Sequence, residues 1–73
     1  MDRIITYELF KEDKWDEDNG NYTAYGIRTS NKEEEVGDIT VNLCEALKIL
    51  RVLNDNNVSI YHFKDVIYDL LNL

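Results

Sequence analysis

The residues of this chain best suited to chemistry stand near its carboxyl end. His62, Asp65 and Asp69 are spaced i, i+3 and i+7, which places all three on one side of a helix. An imidazole can act as a general base only where a pocket brings a substrate within hydrogen-bonding reach. A single histidine makes no metal site. We therefore predict no catalytic and no metal-binding residue, and we interpret this group as a polar strip that binds a partner.

The single cysteine, Cys44, falls in the first turn of a predicted helix, where the helix dipole can make a thiol reactive. Glu45 beside it opposes that effect, and no histidine or second cysteine stands in the same segment. One cysteine cannot close an internal disulfide. We predict that Cys44 is a small, partly buried structural side chain.

An acidic loop, residues 16–21, follows Trp15. In the calcium loop of an EF-hand the invariant glycine is the sixth residue. If Gly20 were that glycine, Trp15 would stand at the first position and Gly26 at the twelfth, where calcium binding requires an aspartate and a glutamate. The segment therefore does not match a calcium loop. Trp15 is predicted either to cover one edge of a sheet or to be an exposed aromatic anchor for a partner, of the kind that dominates interface energetics.

The net charge of −7 arises in two segments. Residues 12–18 hold five acids and one base, residues 32–38 hold four acids and one base, and the remaining charges cancel. Direct binding to nucleic acid is disfavoured because it requires clustered Lys and Arg. An acidic inhibitor that mimics nucleic acid, such as a phage protein, stays an alternative. Its weakness is that successive loops of a meander lie at opposite ends of the strands, about 20 Å apart.

Cofactor and targeting signals are missing from the sequence. The three glycines are isolated, so there is no glycine-rich phosphate loop and we predict no cofactor. The first residues lack the basic region and apolar run of a secretory signal. No apolar stretch approaches the ~20 residues needed to cross a bilayer, and we expect no membrane association and a cytoplasmic location.

Alternation of apolar and polar residues predicts three strands, at about residues 3–11, 21–30 and 35–41. It places Tyr7 and Leu9 on one face of the first strand, and Tyr25 and Ile27 on one face of the second. A slip of one residue exchanges the two faces of a strand. If two residues pair across the strands, these side chains share a face only when the two residue numbers add up to an even value. We therefore expect an odd-length loop or a glycine bulge at Gly20.

The third strand is expected to pair with the second at a sum near 66, which sets Ile27 beside Ile39 and Tyr25 beside Val41. The opposite face of the sheet would then expose an apolar patch, and such patches often mark a partner site. Its predicted members are Ile4, Phe10, Tyr22 and Ala24.

Two amphipathic helices are predicted at about residues 43–54 and 60–72. Asn42 and Glu45 have the spacing of a capping box, and Ser59 is the expected cap of the second helix. The predicted buried stripes are Leu43, Ala46, Leu47, Leu50 and Leu53, then Ile60, Phe63, Val66, Ile67, Leu70 and Leu71. Helices this short need tertiary packing. We predict one α+β domain over residues 1–73, a two-layer β-β-β-α-α fold with a three-stranded antiparallel meander on a helical hairpin.

Several strings resemble a domain-of-unknown-function family of short acidic proteins from clostridial Firmicutes. The most specific is His62-Phe63-x-Asp65-Val66-Ile67-x-Asp69. The others are Tyr7-Glu8-Leu9, Tyr22-Thr23-Ala24-Tyr25-Gly26-Ile27, Asp38-Ile39-Thr40 and Asn57-Val58-Ser59. The resemblance spans nearly the whole chain and implies a bacterial cytoplasmic origin. It implies no activity.

Two classes of function remain. The first and preferred is a small noncatalytic module that binds or regulates another protein, or associates with itself as a homodimer. The second is a small ligand-binding protein or enzyme that uses His62 with Asp65 or a tyrosine. A concave pocket around His62 would favour the second class, and a flat exposed setting would disfavour it.

Overall fold

The computed structural model describes residues 5–72. An antiparallel sheet of three strands, in the spatial order β1-β2-β3, precedes two helices. The strands are β1 (Tyr7–Asp16), β2 (Gly20–Thr29) and β3 (Glu35–Thr40), and the helices are α1 (Leu43–Asp55) and α2 (Phe63–Leu71). The predicted α+β arrangement of a meander followed by a helical hairpin is confirmed.

β1 and β2 form a long hairpin in the predicted even register. Leu9 pairs with Ile27 and Asp16 pairs with Gly20, which leaves a turn of odd length at residues 17–19. Gly20 has a φ of +68°, a left-handed conformation that suits glycine. The first strand ends at Asp16 and not near residue 11 as predicted. Its mostly polar residues 12–16 still form backbone pairs with β2, because strand pairing does not require apolar side chains. Its predicted start, residues 3 and 4, lies outside the described residues.

The predicted pairs between β2 and β3 are wrong. Ile27 pairs with Val36 and not with Ile39, and Tyr25 pairs with Thr40 and not with Val41. The register shifts between these two pairs, so extra residues of β3 bulge out of the ladder. Alternation in a six-residue strand could not reveal the bulge. As a result Val41 is 64% exposed.

The bulge in β3 lies at Gly37 and Asp38. Asp38 has a left-handed φ of 52°, and its backbone N–H donates to Oε2 of Glu12 at 2.9 Å. Since Glu12 belongs to β1, its side chain crosses β2 above its cross-strand partner, Ala24. A Cβ atom on Gly37 would lie 3.0 Å from both carboxylate oxygens of Glu12. Glycine therefore lets the bulge approach this carboxylate.

The face of the sheet that carries Glu12, here called the outer face, is more covered than predicted. Ala24 is fully buried and Phe10 and Tyr22 are half-buried, while Ile4 lies outside the described residues. The Phe10 ring lies against Gly26, where a Cβ atom would come within 2.5 Å of Phe10 Cζ. The Arg28 guanidinium is 5.4 Å from the centre of the same ring. Phe10, Tyr22 and Ala24 thus face away from the helices as predicted, but they do not form the exposed apolar patch that was expected of them.

Asn42 caps α1, but only half of the predicted capping box forms. Oδ1 of Asn42 accepts the Glu45 backbone N–H at 3.1 Å. The backbone N–H of Asn42 donates to Oγ1 of Thr40 at 3.1 Å, in the place where a capping box would use the Glu45 side chain. At the other end the helix stops at Asp55, and Asn57 has a left-handed φ of 48°.

The buried stripe of α1 is rotated from the predicted one. Ala46, Ile49 and Leu53 are buried, whereas Leu43 and Leu47 are 44% and 46% exposed. Ile49 was absent from the predicted stripe. It lines a groove shared with Leu70 of α2, so the position of the second helix selects this side of α1.

α2 begins at Phe63, later than predicted. His62 is the N-cap residue and its side chain makes no capping hydrogen bond. The His62 backbone N–H instead donates to the Ser59 carbonyl at 3.0 Å, so Ser59 belongs to a turn before the helix and does not cap it. The predicted buried side of α2 is confirmed, since Phe63 and Ile67 are fully buried and Val66, Leu70 and Leu71 pack against the core.

The core joins the helices to one end of the sheet, on the inner face opposite to Glu12. Tyr7 stacks on Phe63 with ring centres 4.8 Å apart, and its hydroxyl donates to the Val58 carbonyl at 2.5 Å. The remaining core residues are Ile27, Ile49, Leu53 and Ile67. The far end of the hairpin extends beyond this core, because Lys11, Asp13, Trp15, Asn21 and Thr23 are exposed on the inner face.

Candidate interaction surface

The polar strip predicted on α2 lies on the surface. His62, Asp65 and Asp69 are all exposed. Two aromatic side chains of the same segment are exposed as well, Tyr61 at 90% and Tyr68 at 53%. Within residues 5–72 no group of three His, Cys, Asp or Glu side chains could hold a metal ion. An exposed His62 disfavours the alternative in which this side chain works inside a pocket.

Cys44 is exposed, which corrects the prediction of a partly buried side chain. The rotation of α1 explains the difference, since the buried side centres on Ala46 and Ile49. Cys44 lines the groove of about 340 Å³ between the two helices, together with Glu45, Lys48 and Leu70. This groove contains a thiol beside a carboxylate and an ammonium group.

Trp15 is 66% exposed and lies near the tip of the hairpin. It therefore does not cover a sheet edge within its own chain. Tyr7, which contacts α2 through Phe63, precedes Trp15 by eight residues of β1, a distance of about 27 Å along an extended strand. The structure consequently does not bring Trp15 together with the strip at His62.

The acidic loop is an ordered turn. Oδ1 of Asp16 accepts the backbone N–H groups of Asp18 and Asn19 at 2.8 and 2.6 Å. The hydrogen bonds from the Asn19 backbone and side chain lower the pKa of Asp16 below its ordinary value. Asp16 and Asp38 also line one cavity with Tyr22 and Val41. The bulge of β3 thus brings the two acidic segments together at Asp38, whereas the sequence argument placed them at opposite ends of the sheet.

The free edge of β1 is a feature that the sequence argument missed. The Ser30 backbone N–H donates to the Thr6 carbonyl at 2.9 Å, so even-numbered residues of this strand bond to β2. Odd-numbered residues direct their N–H and carbonyl groups away from β2, to the edge. At Tyr7 both groups are satisfied by the Asn54 side chain, whose Oδ1 accepts the N–H at 2.8 Å and whose Nδ2 donates to the carbonyl at 3.0 Å.

Beyond Tyr7 this edge is open in the part of the chain that the structure describes. The next odd-numbered residues are Leu9, Lys11, Asp13 and Trp15, and β1 has no neighbouring strand on that side. Unpaired N–H and carbonyl groups in a row are a template for another strand. We call residues 9–15 of β1 the open edge.

One flank of α1 carries leucines next to Asn54. Leu43, Leu47, Leu50 and Asn54 are spaced i, i+4, i+7 and i+11 and so share this flank; Leu43 and Leu47 are exposed, and Leu50 is half-buried. Asn54 holds the β1 edge at Tyr7, and the leucine flank runs from that point toward the N-terminus of α1. An apolar flank therefore adjoins the open edge at Asn54.

The pattern of one known protein family matches residues 1–73 of the chain. The chain belongs to DUF6514, a family of unknown function. No curated protein and no solved structure matches the DUF6514 chain. Among residues 5–72 no helix is long and apolar enough to cross a membrane. The bacterial source and cytoplasmic location of this DUF6514 protein stay predictions.

The open edge of the DUF6514 chain left one faint signal in its sequence. Residues 11–16 are Lys-Glu-Asp-Lys-Trp-Asp, a charged sequence that is typical of a solvated loop until its register with β2 is known. Long edge strands usually carry charged side chains that discourage pairing. Here the charges are of both signs, and a tryptophan follows them.

Proposed function

We propose that this protein is a small noncatalytic interaction module that binds a protein strand along the open edge of β1. The observation that supports the proposal most directly is the run of edge-directed backbone groups from Leu9 to Trp15. Addition of a strand to a sheet edge uses main-chain hydrogen bonds for affinity and alternate side chains for specificity. Both components are present at this edge.

Trp15 is the proposed anchor of this surface. Its side chain is 66% exposed on the inner face of the sheet, and a strand added beside β1 would cover it. Large aromatic side chains commonly supply the main share of interface energy. Leu9 lies on the same face and is half-buried. A bound strand with apolar residues at alternate positions would contact both side chains.

The proposal is tested with a displayed library of random peptides selected on the full chain. We expect the enriched peptides to alternate apolar and polar residues, and to slow amide hydrogen exchange at Leu9, Lys11 and Asp13. Asp13→Pro removes one edge-directed N–H and spares the bonds to β2, so it should abolish binding. Trp15→Ala should weaken it at least about tenfold, the effect of a side chain worth about 1.4 kcal/mol.

The polar strip of α2 provides the control. The double substitution of His62→Ala with Asp65→Ala should leave peptide binding unchanged. If that double variant loses binding while Asp13→Pro keeps it, the interaction surface is the strip on α2 and the proposal of edge binding fails.

A further inference from the structure

We infer that the strand bound at the open edge is β1 of a second copy of this chain, so that two sheets join into one antiparallel sheet of six strands. This inference rests on the proposed function and names the partner of the same edge. Residues 9–15 are complementary to a second copy of themselves in one register.

The register follows from which residues face the edge. Two copies of β1 related by a two-fold axis run antiparallel, and their edge-directed residues, all odd-numbered, must face one another. The residue numbers of each pair then have an even sum. A sum of 24 centres the pairing on Glu12 and uses the whole open edge. It pairs Leu9 with Trp15 of the second copy, and Lys11 with Asp13.

The side chains of this register are complementary on the inner face. Each Lys11 ammonium lies opposite an Asp13 carboxylate, and each exposed Trp15 ring lies opposite a half-buried Leu9. Directly opposite residues of antiparallel strands have Cβ atoms about 5 Å apart. The four pairs would exchange about eight backbone hydrogen bonds. Every edge-directed group from residue 9 to residue 15 is then satisfied.

The neighbouring registers lack this match. A sum of 22 places Lys11 against itself on the axis, and a sum of 26 places Asp13 against itself. Like charges directly opposite are destabilising. On the inner face, opposite charges occupy both symmetric pairs only when Lys11 faces Asp13.

Two features limit the pairing to this segment. Asn54 occupies the edge at Tyr7, and the strand of the second copy turns away after Asp16, just where it would reach that residue.

On the outer face this register is less favourable, because the two Glu12 carboxylates meet at the axis and Glu8 faces Asp16 of the second copy. Partners within each chain weaken this repulsion: Glu12 accepts a hydrogen bond from the Asp38 backbone N–H at 2.9 Å and lies 3.9 Å from Lys14 Nζ, and Glu8 pairs with Arg28 at 2.8 Å.

The inference is tested by charge reversal, with dimerisation measured by analytical ultracentrifugation over a dilution series. Lys11→Glu and Asp13→Lys each place like charges at both symmetric pairs, and each should weaken dimerisation at least about tenfold. The double variant restores opposite charges and should return to within about threefold of the original affinity. Both residues are exposed, so all three variants should keep the circular dichroism of the original chain.

Mixing the two single variants gives the sharpest result. Glu at position 11 of one copy then faces Lys at position 13 of the other, and the second pair is Asp13 with Lys11, so the mixture should form a heterodimer at least about tenfold tighter than either variant alone. Repulsion within one chain cannot produce this rescue. Lys48→Glu and Asp55→Lys change the net charge by the same amounts at exposed sites of α1 and should leave dimerisation unchanged.

The outcomes separate the two claims. A chain that stays monomeric to about 1 mM, but whose edge amides are protected by selected peptides, overturns the second copy as partner and leaves the proposed function standing. A monomer whose edge amides no peptide protects overturns both. A dimer that neither charge reversal weakens refutes the β1 register and places the contact elsewhere.

Discussion

Asn54→Ala should be among the most destabilising single substitutions at a polar side chain of this protein. The Asn54 amide makes two hydrogen bonds to the backbone of Tyr7, at 2.8 and 3.0 Å, and Tyr7 itself is 4% exposed. Each bond contributes about 1 kcal/mol, and a buried partner left without a bond adds to the loss. Alanine recovers about 0.5 kcal/mol through its higher helix propensity. We expect a net loss of about 2 kcal/mol.

The assay is urea unfolding followed by far-ultraviolet circular dichroism at one fixed protein concentration. For a domain of this size the slope of the unfolding free energy is about 1 kcal/mol per molar urea, so the midpoint should fall by about 2 M. The whole stability of such a domain is about 4 to 11 kcal/mol. The variant should therefore remain folded in the absence of urea.

Asn56→Ala is the matched control. It is the same substitution at the end of the same helix, but Asn56 is exposed and its side chain makes one hydrogen bond, from Nδ2 to the Val52 carbonyl at 2.8 Å. Its loss should cost about 0.5 kcal/mol. If Asn54→Ala and Asn56→Ala shift the midpoint equally, the side chain of Asn54 does not hold the edge of β1, and the limit placed on strand addition at Tyr7 is refuted.

Three further predictions concern packing and pH. Gly26→Ala puts a methyl group 2.5 Å from Phe10 Cζ and 2.6 Å from the Val36 carbonyl oxygen. Thermal unfolding should show that it lowers the free energy of unfolding by more than about 2 kcal/mol. Gly20→Ala is the control and should cost about 1 kcal/mol, because only the φ of +68° is unfavourable there. Burial raises the pKa of Tyr7 above its ordinary 10.0, so folding favours the protonated hydroxyl. The stability gained from this shift should be complete below pH 10 and lost as the pH rises further. The urea midpoints at pH 8 and pH 10.5 should therefore differ less in Tyr7→Phe than in the control Tyr61→Phe. Leu53→Ala should cost about 3 kcal/mol because Leu53 is fully buried, while Leu47→Ala should cost less than about 1 kcal/mol, and equal losses would contradict the rotated stripe of α1.

The sequence was sufficient for the parts of the fold that repeat over many residues. Alternation in β1 and β2 fixes which side chains share a face, and only one parity of register keeps Leu9 and Ile27 together. The buried side of α2 follows from Phe63, Ile67 and their neighbours at helical spacing. These patterns agree with the tertiary structure because the residues of such a stripe are buried together, so the sequence repeats the same apolar choice at each position.

The failures occur where two local solutions are nearly equal. In α1 a stripe through Leu43 and Leu47 and a stripe through Ile49 share Ala46 and Leu53, and only the position of α2 decides between them. In β3 the left-handed Asp38 depends on an acceptor on β1 that is 26 residues away in sequence. Local propensity contains neither piece of information.

The candidate surface shows the same division. Exposure of His62, Asp65 and Asp69 could be inferred from their place opposite the apolar stripe of α2. The open edge of β1 could not, because it depends on the spatial order of strands and on the direction of each backbone group. A sequence shows which residues alternate, but it does not show which strand has a neighbour on only one side.

The uneven covering of the hairpin has a consequence for its motions. Near Tyr7 the two strands are sealed by both helices, whereas near Trp15 they have no second layer in the described chain. Fraying from the tip can thus proceed while the sealed end stays intact, and amide exchange should be graded along a single pair of strands. A molecule bound at the tip would slow this fraying by mass action. If the bound molecule is a second copy of the chain, amide exchange in the hairpin should slow as the protein concentration rises.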